Sequence, residues 1–164
     1  MKALTPKGAV LLCLYVMMGC TLISCSHDLE EDLHQAQALT LINVEAEVFD
    51  LINAHRVEIG LNPLSDLDIA YPKAAEHTEY MVLTGEASHH NFYDREAYLI
   101  SQAGAEDVAE NVAKAYGTAE GAVNAWLGSE AHKAVIEGAF THGSICVMKD
   151  EHGKYFYTHI FVKK

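Results

Sequence analysis

The sequence predicts an α+β fold, because helical periodicity dominates most of the chain and strand-like alternation takes over at its end. Apolar residues recur at helical spacing in several segments between residues 40 and 138. Residues 144–149 and 154–162 instead alternate, and Asp150-Glu151-His152-Gly153 separates them, which is typical of an antiparallel hairpin. Helices followed by strands indicate a sheet that packs between or against helices.

Five helices are predicted from apolar spacing together with capping and breaking residues. They start near Thr40, at Ser65 or Asp66, at Tyr93, at Thr118 and at Ser129, and Gly60, Gly85, Gly104 and Gly138 follow four of them. The first runs for about fifteen residues, and Pro72 marks a break or the true start of the second. Asn91, Thr118 and Ser129 are the expected N-caps. A further strand within residues 104–113 cannot be placed from periodicity.

The first 24 residues have the layout of a secretory signal peptide. Lys2 and Lys7 precede an apolar run from Ala9 to Met18, which is too short for a permanent membrane span. Leu22-Ile23-Ser24-Cys25 resembles a bacterial lipobox, so Cys25 is the expected lipidated first residue, with Cys20 as a second candidate. An uncleaved anchor or an ordinary secretory signal is the remaining alternative. The predicted divisions are residues 1–24 as signal, 25–40 as an acidic tether and 41–164 as the domain.

Charge restricts the partners of the mature protein. Removal of the signal takes the formal net charge from −12 to −14, because it contains Lys2, Lys7 and no acid. Such a surface argues against nucleic acid and anionic lipid headgroups, so membrane attachment is expected only through acyl chains on Cys25. The acidic residues between 26 and 38 resemble a signal for display on the outer cell surface. An outer-membrane or cell-surface location is therefore expected.

Cysteine use is compatible with a domain that has no internal disulfide. Three of the four cysteines lie in residues 13–25, which leaves Cys146 alone in the domain. Its neighbours Val147 and Met148 are apolar, which favours a buried packing role over a catalytic thiol.

A carboxylate and an amide stand side by side at Glu110 and Asn111, between small apolar residues. A buried Glu needs partners, so this pair indicates a site or a cap. His89 and His132, about twenty residues to either side, are the candidate partners. The alternative is that Glu110 and Asn111 tie a loop to backbone while the histidines only form hydrogen bonds.

Seven motifs, in order, resemble the CAP superfamily of cysteine-rich secretory, antigen 5 and pathogenesis-related 1 proteins, also called the SCP domain. They are Asn53-x-x-Arg56, Pro63-Leu64, Ala74-x-x-His77, Ser88-His89, Ala109-Glu110-Asn111-Val112, Trp126-x-x-Ser129-x-x-His132 and Tyr155 to Phe161. The resemblance implies a three-layer α-β-α sandwich. It also implies a cleft that many members line with two His and two Glu, able to hold a divalent metal.

Carried over residue by residue, the resemblance places His89 and Glu110 in that cleft. The second Glu is replaced by Ser129, and the last His by Phe156, so His132 is the expected substitute. His159 stands where the family commonly has Gln, on the same face of its strand as Tyr157. The expected cleft is completed by Asn111, and its metal candidates are His89, His132 and Glu110.

Three functions follow as hypotheses. The first is a binding or interaction module, for an unknown small ligand or an envelope protein. The resemblance offers sterols, fatty acids, metals and proteins as ligand classes. The second is a metal-assisted hydrolase of peptide or cell-envelope material, in which a weakly bound zinc activates water. The third is a structural envelope protein without a ligand. No Ser-His-Asp arrangement is evident.

Overall fold

A computed structural model describes residues 25–164, with side chains from residue 30 onward. Residues 39–164 form one compact unit, which holds the whole sheet and every helix except the part of the first helix that precedes Leu39. The helices are α1 (Cys25–Glu58), α2 (Tyr71–Thr84), α3 (Phe92–Ala103), α4 (Ala119–Leu127) and α5 (Glu130–Ile136), and a 3₁₀ turn covers Asp68–Ala70. The strands are β1 (Ser65–Asp66), β2 (Asp107–Lys114), β3 (His142–Lys149) and β4 (Tyr155–Lys163).

The four strands form one mixed sheet in the order β1-β3-β4-β2. Strands β3 and β4 are the predicted antiparallel hairpin, and its turn is fixed by the Asp150 carboxylate, which accepts the His152 and Lys154 N–H groups. Strand β2 pairs antiparallel with β4 and places Asn111 opposite His159. Strand β1 is parallel to β3. Strand β2 is at the edge of the sheet, where β4 is its one neighbouring strand.

Apolar clusters lie on both faces of the sheet, which confirms the three-layer α-β-α sandwich. On one face, Ile52 of α1 and Trp126 of α4 pack with Ile145, Tyr157 and Phe161 of the hairpin. On the other face, residues of α2 and α3 pack with alternate strand residues; they are Ala74, Leu99, Val108, Cys146, Ile160 and Val162. Alternation along β2 therefore directs Glu110 and Asn111 to opposite faces.

His159 is fully buried on the α1 and α4 face. Its ring lies 4.1 Å from that of Phe161, between centroids, and neither ring nitrogen has a hydrogen-bond partner among the described residues. A Cβ atom added to Gly143 would stand 2.8 Å from the His159 Nε2. The absence of a side chain at Gly143 is therefore what lets β3 lie beside this imidazole.

The last turn of α1 holds the loop that follows it, through the side chains of Asn53 and Arg56. The Asn53 side chain donates to the Leu64 carbonyl and accepts the Leu64 N–H, at 3.1 and 2.7 Å. The buried Arg56 guanidinium donates to four carbonyls, those of Asn62, Ile136, Gly138 and Phe140. These bonds join α1 to the segment between α5 and β3.

Helix α1 starts earlier than its apolar periodicity predicts. It begins at Cys25 rather than near Thr40, and its side chains from residue 30 to 40 are exposed. Leu, Glu, Gln and Ala dominate that segment and are strong helix formers, so propensity continues the helix where packing does not. Within residues 25–164, no helix is long and apolar enough to cross a membrane.

Three local predictions are wrong. Ser65 and Asp66 form β1 rather than a helix start, and α2 begins at Tyr71, with Pro72 in its first turn. Asn91 and Ser129 occupy N-cap positions, but neither side chain caps its helix, and Asn91 instead has φ of 57°. Thr118 does cap α4, because its hydroxyl accepts the Gly121 N–H. Strand β2 is the strand that periodicity could not place.

Candidate functional site

Glu110 is the centre of a charged network on the α2 and α3 face. Its Oε1 accepts from the His89 Nδ1 at 2.9 Å, and Arg95 donates to both carboxylate oxygens, through Nε at 2.8 Å and Nη2 at 2.9 Å. The Glu110 side chain is 1% exposed and that of His89 is 50% exposed. The network therefore joins a buried ion pair to an imidazole at the surface.

Surrounding groups fix the orientation of this network. The third Arg95 hydrogen bond runs from Nη1 to the His90 carbonyl, and the buried His77 Nε2 lies 2.6 Å from the Ser88 carbonyl and 3.7 Å from Glu110 Oε1. Tyr80 stacks between the rings of His77 and His90. The hydrogen bonds to the Ser88 and His90 carbonyls and the stacking on the His90 ring hold the loop between α2 and α3, which carries His89.

The network keeps Glu110 ionised. Burial alone would raise the pKa of Glu110, but hydrogen bonds from His89 and Arg95 and the charge of Arg95 hold it below the usual range. Burial lowers the pKa of His77 in spite of the attraction of Glu110, so His77 is neutral. The guanidinium of Arg95 is therefore the main counter-charge of the carboxylate.

His132 lies on α5, which packs beside the edge strand β2. The Asn111 Nδ2 donates to the His132 carbonyl at 3.0 Å, which ties α5 to β2. Burial lowers the pKa of the half-buried His132, and the charge of His89 acts in the same direction. The Asn111 Oδ1 is buried and has no hydrogen-bond partner among the described side chains.

The structure does not bring Tyr157 and His159 to Glu110. Both point to the opposite face of the sheet, where the Tyr157 hydroxyl donates to the Tyr116 carbonyl at 2.7 Å and His159 is enclosed by aromatic rings. Ser129 is partly buried before α5, and its carbonyl accepts the Lys133 N–H. His89 and Glu110 are therefore in contact, whereas a cleft that joins them to His132 stays a prediction.

This arrangement does not fit a divalent metal on Glu110. Both of its oxygens already accept hydrogen bonds from Arg95, whose positive charge would repel a metal ion at the same carboxylate. Among the residues whose side chains are described, no three His, Cys, Asp or Glu groups are arranged to hold a metal ion. A weak zinc site at His89, Glu110 and His132 stays a prediction.

Arg95 is the important residue that sequence reasoning missed. It lies on α3, fifteen residues before Glu110, and its side chain is 8% exposed. A buried carboxylate requires a cation, so the signal was the need of Glu110 for a charged partner, which the histidines alone do not meet. The spacing does not identify Arg95, because only the packing of α3 on β2 brings the two together.

The comparisons with known proteins decide the family. The model of the CAP family, described as the cysteine-rich secretory protein family, matches residues 49–162. The chain belongs to the CAP family. This match confirms the resemblance read from the seven motifs, and it contains His89, Arg95, Glu110 and His132. No sequence among the curated proteins matches the chain.

Solved structures agree with this membership. An extracellular SCP-domain protein of Bacillus anthracis is 26% identical, with a TM-score of 0.65 over 74% of this chain and 41% of its own. An outer surface protein of Borrelia burgdorferi shares the fold at 20% identity and a TM-score of 0.63, over 71% of this chain and 89% of its own. A cysteine-rich secretory protein of Staphylococcus aureus also shares the fold, at 18% identity and a TM-score of 0.62, over 74% of this chain and 38% of its own. This CAP chain therefore spans about two fifths of the Bacillus and Staphylococcus proteins.

Proposed function

We propose that this CAP protein is an extracytoplasmic binding module whose ligand contacts the imidazoles of His89 and His132. The observation that carries the proposal is the half-exposed His89, held at 2.9 Å by a Glu110 that is itself buried and paired with Arg95. A buried ion pair costs desolvation free energy and contributes little net stability. A buried charged network that orients one surface imidazole, in spite of this unfavourable desolvation, is typical of a functional site.

The chemistry of the network sets what His89 offers a ligand. Because Glu110 is ionised, it can only accept, so the His89 Nδ1 carries the hydrogen of that bond. With that hydrogen on Nδ1, Nε2 is the acceptor of this half-exposed ring. A ligand with a hydroxyl or N–H group meets this requirement. His132, whose lowered pKa keeps it neutral, supplies a second imidazole within the same region.

Location is part of the same proposal. The similar proteins of Bacillus anthracis and Borrelia burgdorferi are an extracellular and an outer surface protein. Together with the basic and apolar start of the chain and the lipobox ending at Cys25, these likenesses support export and anchoring by acyl chains. Display on the outer cell surface is the location we propose.

Ligand-observed NMR with a library of small hydroxyl- and amide-bearing compounds tests the binding module. The purified chain is compared with a His89→Ala/His132→Ala variant and with a His34→Ala/His152→Ala control, which removes two imidazoles from exposed positions. We expect a set of compounds that bind the wild type and the control but not the first variant. Identical sets for all three proteins would refute the cleft as the binding site.

Zinc calorimetry separates the binding module from the metal-assisted hydrolase. With Arg95 on the carboxylate, we expect zinc to bind weakly, with a Kd no tighter than about 0.1 mM. Tight zinc binding that His89→Ala abolishes would replace the binding module by the hydrolase. Tight binding that survives His89→Ala would place zinc elsewhere and leave the proposal intact.

A further inference from the structure

A cavity of about 340 Å³ lies beside the outer edge of β3 and shares no residue with the network of His89, Arg95 and Glu110. Helix α1, the end of β1 and the start of α2 enclose it. Its apolar wall includes the rings of Phe49 and Tyr71 and the side chain of Ile145. This volume is at the lower end of the range of about 300–1,000 Å³ found for small-molecule sites.

The charged groups of this cavity are all acidic. Glu45, Asp50 and Asp66 line it, and no Lys, Arg or His does. None of these three carboxylates forms a salt bridge with any side chain that the structure describes. The cavity therefore carries negative charge that the surrounding protein does not neutralise.

Glu45 is the fixed member of this group. Its Oε1 accepts the Val147 N–H at 2.7 Å and lies 3.4 Å from the Tyr71 hydroxyl, so the carboxylate is held where α1 meets the free edge of β3. Burial raises the pKa of Glu45 more than these hydrogen bonds lower it. This is the behaviour of a carboxylate that is oriented and half-buried but has no cation beside it.

We propose that this cavity binds a small organic cation, an ammonium group carried on an apolar body. Three unpaired carboxylates attract the charge, and the Phe49 and Tyr71 rings offer both apolar contact and cation–π attraction. A metal ion is the less suitable cation, because no three acidic, His or Cys groups among the described side chains converge on one point. The apolar side chains of the wall also carry no ligand atoms for a bare ion.

The test uses phenyltrimethylammonium and its neutral isostere tert-butylbenzene, titrated into the purified full-length chain and followed by amide NMR. We expect saturable binding of the cation that shifts the Ile145 and Val147 signals, and binding of the neutral compound at least about tenfold weaker. Asp50→Asn/Asp66→Asn should weaken cation binding at least about fivefold. The matched control, Glu79→Gln/Glu120→Gln, removes the same charge from exposed positions outside the cavity.

Four outcomes would overturn the proposal. They are no saturable binding at about 10 mM cation, equal binding of both compounds, unchanged binding by Asp50→Asn/Asp66→Asn, and an equal loss in the control. The last would mean that overall charge, and not the cavity, attracts the probe. Glu45→Gln gives an independent measurement, because its amide oxygen can still accept the Val147 N–H. It should weaken cation binding while leaving the thermal midpoint nearly unchanged.

Discussion

Arg95 and Glu110 form a buried ion pair, in which two parallel hydrogen bonds join the guanidinium to the carboxylate. The net contribution of such a pair to the free energy of unfolding is small, but the loss when one partner is removed is large. Removal of one partner leaves an uncompensated charge in a site of low dielectric constant, whereas removal of both leaves an apolar contact.

A double-mutant cycle tests this view of the pair. Arg95→Met should lower the free energy of unfolding by about 3–5 kcal/mol, because Glu110 is then buried without its cation. Arg95→Met/Glu110→Leu should recover about 2 kcal/mol of that loss. Denaturant unfolding measures both values and that of Glu110→Leu, the single variant that completes the cycle. Additive effects of the two substitutions would show that the residues do not interact in solution.

His159 makes the stability of the protein sensitive to acid. Burial, with a smaller contribution from the charge of Arg56, lowers the pKa of His159 from 6.5 to about 3 in the folded state. The unfolded state therefore binds one more proton at this residue between these two pH values. The stabilising contribution of neutral His159 is present above pH 6.5 and is lost as the pH falls, and the lowered pKa values of His77 and His132 act in the same direction.

Replacement of His159 should reduce this acid sensitivity. Between pH 6 and pH 4, the free energy of unfolding of the wild type should fall by about 2–3 kcal/mol more than that of His159→Gln. Urea unfolding at several pH values measures the difference. The control is His152→Gln, because His152 is exposed in the hairpin turn and should behave as wild type. Parallel curves for wild type and His159→Gln would contradict the shifted pKa.

At the scale of elements, Trp126 joins α4 to the sheet. Its side chain is buried, its indole N–H donates to the Val112 carbonyl at 2.9 Å, and its ring meets that of Tyr157 edge-on. Because Val112 is on the edge strand β2, this one bond also satisfies a carbonyl that no neighbouring strand can reach.

Truncation of this side chain should be among the most damaging substitutions. Trp126→Ala is expected to lower the free energy of unfolding by about 3–5 kcal/mol through the cavity it leaves. Trp126→Phe should cost less, about 1–3 kcal/mol, because it mainly removes the hydrogen bond to Val112. Thermal or denaturant unfolding gives both values. A Trp126→Ala protein within about 1 kcal/mol of wild type would contradict the packing of α4 on the sheet.

The elements that the sequence predicted well are those with strong local signals. Gly85 and Gly104 end α2 and α3 in the left-handed conformation, and Asp150 to Gly153 turns the hairpin, as their residue types require. Strand β2 had no such signal, because Ala, Glu and Asn at its centre have low strand propensity. Its neighbour β4 and the helices on both faces impose the extended conformation.

The candidate site was predictable only in part for a related reason. Glu110 and His89 are marked by local composition and by the family resemblance, and the structure places them in hydrogen-bond contact. Arg95 depends on how α3 packs on β2, and the burial of His159 depends on which face of β4 it occupies. Both are tertiary properties, which a single sequence does not specify at the level of one side chain.

At the scale of the whole molecule, the proposed attachment to membranes depends on Cys25, the first residue that the structure describes. Cys25→Ala should release the protein from membranes, because an acidic domain without acyl chains has no affinity for an anionic bilayer. Membrane fractionation of cells that express the variant measures this. Cys20→Ala is the control and should remain bound. If Cys20→Ala is released instead, acylation occurs at Cys20.

The close approach of Gly143 and His159 links two positions sixteen residues apart in the chain, on neighbouring strands. An alanine at 143 has room only when the residue at 159 is shorter or turned away, and an imidazole at 159 requires a glycine at 143. A side chain at position 143 is therefore disfavoured as long as histidine stands at position 159. Across homologous CAP sequences, these two positions should covary, and histidine at 159 should occur together with glycine at 143.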